Sequence, residues 1–306
     1  MAARATRSAS HARAALSERI REAEAEATGP LGALSHDELG VIFDGLADPL
    51  QPVVAVALSS TCLGLRTPLG AALEVLKERH ARAVALCCKV QTSCAKMRDA
   101  AIVDGYGIGL TADDMATFAM ILRTNGLPRL QKLLFGQRNL FGDAGVQALC
   151  EGLGRGAAPS LRILTLNHTK FGTAGAEALA AGLLRGAMPK LENLHIQGNP
   201  GIGNQGMTAL AAPLRKLPAL RELLLGNTEL GDEGVASLFD DLGKDDFKAL
   251  ERLCLLKTSN ALTDKGYATL ASALTRGAMP RLTRHGLAVG PEKRAAFDLL
   301  LEQRGR

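Results

Sequence analysis

The residues most able to do chemistry in this chain are a few histidines, cysteines and glycines. His80, Cys87, Cys88 and Cys94 come closest to a metal cluster. A structural zinc site needs ligand pairs at a Cys-x-x-Cys type of spacing, and none is present. Cys87 and Cys88 instead continue an apolar helical pattern, so these thiols read as structural and no metal site is expected. Gly105 to Gly109, GYGIG, has the glycines of a phosphate loop but neither the order G-x-G-x-x-G nor a following G-K-[ST]. No cofactor is expected. His168 and His195 fall at different positions of the repeat set out below and do not form a pair. No Ser, Cys or Asp stands in a nucleophile, base and orienter arrangement. The expectation is a binding protein and not an enzyme.

Composition narrows the class further. The 306 residues are 47% apolar, with a net charge of +5, no Trp, two Tyr and eight Phe. A sizeable core is affordable, but stacking platforms are scarce. No run of five like charges suggests a nucleic-acid arm, and no apolar run approaches the roughly 20 residues of a membrane span. Six cysteines without the spacing of a small disulfide scaffold, in a chain this long, read as reduced thiols, which suits the cytoplasm or nucleus. Met1 to Ser17 holds Arg4, Arg7 and Arg13 and no acid. It fits either a disordered tail or an organellar transit peptide. Ser17 to Thr28 reads as a charged, exposed helix.

Most of the chain is periodic. Leu110, Phe141, Phe171, Ile202, Leu230 and Leu262 recur at spacings of 31, 30, 31, 28 and 32 residues. Four positions on stand Gly145, Gly175, Gly206, Gly234 and Gly266, with Asp114 breaking the column. Further apolar columns five, eight and twelve positions on (Val146, Leu149 and Leu153 in the second repeat) make one face of a helix. Asp143, Thr173, Asn204, Asp232 and Asp264, two positions on, are expected to cap these helices. Before each loop, triplets such as Leu161, Leu164 and Leu166 end in the period-two alternation of a strand. Prolines 128, 159, 189, 218 and 280 separate most units, and Pro291 opens a C-terminal helix that would cap the array.

The pattern LxxLxLxxNxLGxxGxxxLxxxL resembles the long leucine-rich repeat of the ribonuclease-inhibitor-like class, over ~two thirds of the chain. The resemblance implies an α/β solenoid over residues 96–306, a horseshoe with parallel strands inside and helices outside. One column departs. The position usually held by Asn carries Arg138, Thr169, Asn199, Thr228 and Thr258, which implies a looser loop ladder. Similar repeats build Ran-type GTPase-activating proteins, and for that reading Arg138 would be the arginine of interest.

Residues alternating with the inward leucines define the expected concave protein-binding face. They are Lys132 and Leu134; Ile163, Thr165 and Asn167; Asn193, His195 and Gln197; Glu222 and Leu224; and Arg252, Cys254 and Leu256. Gly136 and Gly226 complete the columns.

Residues 30–95 form a separate helical region. Leu34, Leu39, Ile42, Phe43, Leu46, Leu58 and Ser59 follow the spacing of an F-box, with Ser35 in place of its proline and Cys62 or Leu63 in place of an aromatic. The resemblance implies that Leu34, Leu39, Ile42, Phe43 and Leu46 bind a Skp-type adaptor of a cullin ubiquitin ligase. The alternative is a helical cap on the first repeat, in a scaffold or sensor. A docking module would expose Leu39 and Phe43; a cap would bury them against the repeats. The next helix, 69–90, should turn Leu69, Leu73, Leu76, Ala83 and Val84 inward.

Overall fold

The computed structural model describes residues 34–60, 69–154, 156–243, 245–256, 262–287 and 290–304. Met1 to Ser17, the charged segment to Thr28, Cys62, Leu63 and Thr258 lie outside the described residues. The chain divides into two compact units between Arg82 and Ala83, a boundary inside a helix and upstream of residue 95.

The first unit contains α1 (His36–Leu46), α2 (Val53–Ser60) and most of α3 (Gly70–Lys89). Ser35 starts α1 with a capping box. Its hydroxyl accepts from the Glu38 N–H at 3.3 Å, and its own N–H donates to Glu38 Oε2 at 2.8 Å. Leu39, Phe43, Ala47, Ala55, Leu69 and Leu76 form a common core, with Leu34, Leu58, Ala72 and Leu73 packed against it. Within α3, Ala83 and Leu86 are buried, but Val84 faces solvent, contrary to expectation. At 100° per residue, Ala83, Leu86 and Cys87 share one face and Val84 falls outside it.

The second unit repeats strand, loop and helix. After α4 (Cys94–Arg98) come β1 (Ile102–Asp104), α5 (Ala112–Asn125), β2 (Lys132–Leu134), α6 (Gly142–Gly152), β3 (Ile163–Thr165) and α7 (Thr173–Leu184). Then follow β4 (Asn193–His195), α8 (Gly203–Arg215), β5 (Glu222–Leu224), α9 (Asp232–Phe239), β6 (Arg252–Cys254), α10 (Asp264–Thr275), β7 (Arg284–Gly286) and α11 (Pro291–Arg304). The strands form one parallel sheet in sequence order, so this unit is a leucine-rich-repeat solenoid. The central residue of each strand, from Val103 through Leu133, Leu164, Leu194 and Leu223 to Leu253, is buried. Each such leucine contributes ~2 kcal/mol of apolar burial. In β7 that position is His285, whose Nε2 lies 2.6 Å from Asp298 Oδ1 and whose ring packs on Phe297.

Side-chain stitches between repeats correct two sequence expectations. The ladder residue of the second repeat is Asn139, not Arg138. It is wholly buried, accepts from the Leu110 N–H (2.8 Å) and donates to the Gly105 and Gly136 carbonyls. Phe141 follows Phe135 by six residues, where Phe171 follows Leu166 by five, and this extra residue displaced the column. Asn199 does the same between the third and fourth repeats, accepting from the Thr169 N–H (2.9 Å) and donating to the Leu166 and Ile196 carbonyls. Thr169 and Thr228 bond the carbonyls of Leu166 and Leu225 in their own turns.

The acidic column does not cap its own helices. Asp143, in α6, accepts from the N–H groups of Gly172 and Gly175 at the start of α7 (2.6 and 2.8 Å). Asn204, in α8, does so for Gly231 and Gly234 at α9. Asp232, in α9, accepts from Thr263 and Gly266 at α10 (2.9 and 3.0 Å). Each therefore satisfies orphan donors one repeat ahead. This explains the glycines at 175, 234 and 266. A Cβ on Gly175 would lie 2.8 Å from Asp143 Oδ1, and one on Gly234 2.9 Å from Asn204 Oδ1. It also explains Asp114. The first helix has no preceding repeat helix to cap it, so Asp114 closes a capping box with Thr111 instead, and Lys89 Nζ adds a 2.7 Å ion pair.

Candidate protein-binding surfaces

The strand register places the expected binding residues in rows. Lys132, Ile163, Asn193, Glu222, Arg252 and Arg284 are successive partners, and Leu134, Thr165, His195, Leu224 and Cys254 form the next row. Most are half-buried or exposed, as an open sheet face requires. Thr165 and Asn167 are buried and offer little contact area. Asn167, Gln197 and Leu256 follow the strands, and Leu256 is 40% exposed.

Glu222 is the hub of a polar network. Asn193 Nδ2 donates to its Oε2 at 3.0 Å and Arg252 Nη1 to its Oε1 at 3.1 Å. His195 Nε2 stands 3.5 Å from the same Oε1, and Thr165 Oγ1 lies 3.4 Å from His195 Nδ1. Burial lowers the His195 pKa from its ordinary 6.5. Glu222 opposes that shift and Arg252 adds to it. Asn167 Oδ1 and His195 Nε2 are buried without a hydrogen-bond partner among the described residues.

Sequence reading missed Arg284. Its strand lacks the leucine pattern because His285 occupies the inward position. The signal was its place one repeat length beyond Arg252. Arg138 is exposed in the turn after β2, with a left-handed backbone (φ 61°) just before the ladder Asn139.

In the first unit the expected adaptor residues separate. Leu39 and Phe43 are 3% and 1% exposed, and Leu34 packs against the same core. Leu39 and Phe43 are thus corrected from contact residues to core residues. On α1 they lie four apart on the face that meets α2 and α3. That core is the unit's own, so their burial matches neither outcome expected from sequence. Ile42 and Leu46 do reach solvent, joined by Val41 and by Val53 (74% exposed), Val54 (57%) and Val56. In α2 the small residues Ala55 and Ser59 turn inward and the valines outward.

Buried thiols elsewhere are poorly suited to reaction. Burial first, then neighbouring Cys94 and Cys88, pushes the Cys87 thiol up to about 12. Burial pushes Cys150 to about 12 as well. Among the described residues no group of three or more His, Cys, Asp or Glu could hold a metal ion. No described helix is long and apolar enough to cross a membrane.

The leucine-rich repeat family model matches residues 157–180 and 187–211. These spans hold β3, most of α7, β4 and most of α8, the repeats closest to consensus. No curated protein matches the chain. Leucine-rich repeats make this a protein-interaction module in its general character. They name no partner.

Proposed function

We propose that this chain is a two-surface adaptor. The open sheet face of the repeats holds a client protein, and the first helical unit holds a Skp-type adaptor of a cullin ubiquitin ligase. The observation that carries the second half is the exposed apolar set Val41, Ile42, Leu46, Val53, Val54 and Val56 on two short helices with a core of their own. Water-exposed valines at 74% and 57% are hard to explain as packing residues, whereas a hydrophobic partner surface would bury them. The docking residues are then Ile42, Leu46 and the α2 valines, with Leu39 and Phe43 supporting them from beneath.

The test uses the full chain, purified with a Skp-type adaptor and analysed by size-exclusion chromatography. A complex that survives Arg252→Glu but is lost with Val53→Asp and Val54→Asp supports the reading. Failure of a folded chain to form any complex would leave the runner-up, a leucine-rich-repeat scaffold without a ligase role.

A further inference from the structure

We propose that the open sheet face from β4 to β7 docks an acidic segment of the client, one that carries apolar residues among its carboxylates. The proposal rests on the reading of this face as the client surface, and adds the chemistry of what it takes. Arg252 and Arg284 are register partners on adjacent strands, so their backbones lie ~4.8 Å apart and both side chains share one face. Arg252 is 47% exposed in its side chain and shares Glu222 with Asn193 and, at longer range, His195. Arg284 is exposed, and its side chain has no ion pair or hydrogen bond among the described residues. The row therefore holds two guanidiniums and one carboxylate, and that carboxylate is already engaged by Arg252 and Asn193. A guanidinium presents a planar fork of donors matched to carboxylate geometry.

The surroundings select among anions. Leu224, in the next row, and the exposed Leu256 beyond it lie further along the sheet from the cations and suit apolar side chains. A nucleic acid needs a continuous basic track and stacking rings. Here Glu222 interrupts the basic row and the adjoining columns hold Asn, Gln and Leu. A partner whose carboxylates alternate with leucine-like residues satisfies both features.

The experiment pans phage-displayed random peptides on the full chain, on Arg252→Glu/Arg284→Glu, on Leu224→Asp, and on Lys190→Glu as a reversal elsewhere. Binding of selected peptides is then measured by fluorescence anisotropy. The expected result is enrichment of Asp, Glu and apolar residues, with affinity falling about tenfold or more in the double reversal and unchanged in Lys190→Glu. The double reversal should itself select basic peptides. Peptides that lose binding in Leu224→Asp but show no acidic bias, and ignore both arginines, would keep the client surface and overturn its acidic preference. Peptides indifferent to every change on this face would overturn the client surface too. Preferential binding of a single-stranded oligonucleotide, lost with the two arginines, would also overturn the proposal.

Discussion

The two units bury their apolar residues by different rules. In the repeats, every leucine of the strand columns is buried, and adjacent repeats repeat the same environment. In the N-terminal helices an alanine and a serine are buried while three valines of the same helix stand in water. Repetition supplies many copies of one packing problem, so a column average reveals the inward face. A single short helix offers one copy, and hydropathy alone points the wrong way. Apolar residues that a fold does not use are then the ones to ask about function.

Substitutions can sharpen this contrast. Leu194→Ala, at a fully buried strand centre, should destabilise the chain by about 3 kcal/mol or more in urea unfolding, through lost burial and a cavity. Phe43→Ala should cost about as much in its own unit, visible as faster proteolysis before residue 82, if α1 has the core role described. Asn199→Ala should cost about 2 kcal/mol, since three buried backbone groups lose a partner. Equal unfolding midpoints for Asn199→Ala and the parent chain would refute the ladder.

A pH-dependent difference comes next. His195 has a folded pKa below 6.5, so the unfolded chain binds the proton first. Its contribution to stability is complete above pH 6.5 and is lost as the pH falls from there toward the lower folded value. The parent chain should therefore lose more stability on acidification than His195→Gln, measured by the shift in urea midpoint. Smallest of all is Val53→Asp, which should alter stability by less than about 0.5 kcal/mol while abolishing any adaptor complex. A large stability loss there would make α2 a packed element after all.

The fold was legible wherever a column held across repeats. Leu133, Leu164 and Leu194 carried the strands, and the spacing of Leu149 and Leu153 carried the helix. The first ladder asparagine was not, because one extra residue before Phe141 moved it from position 138 to 139. The caps were half legible: Asp143, Asn204 and Asp232 do cap helices while Thr173 and Asp264 do not, and counting along one helix cannot show that Asp143 serves the next. On the open face the rows followed from alternation. The arginine pair did not, because β7 replaces its central leucine with His285 and so drops out of the pattern that revealed the others.

The stitches also have a direction. Asn139 and Asn199 reach back toward the N-terminus, while Asp143, Asn204 and Asp232 reach forward. Over the first five junctions these stitches run backward, forward, backward, forward and forward, while Arg185 also reaches back to the Cys150 carbonyl at the second and the Thr173 hydroxyl forward to the Gly201 and Ile202 carbonyls at the third. Removing repeats from the C-terminal side past a forward junction leaves a carboxylate or amide in water, where it is well solvated. Removing them from the N-terminal side strips the same junction of its cap and leaves bare helix donors on the piece that remains. The last repeats form a one-way zip, more readily shortened from its tail than opened from its head.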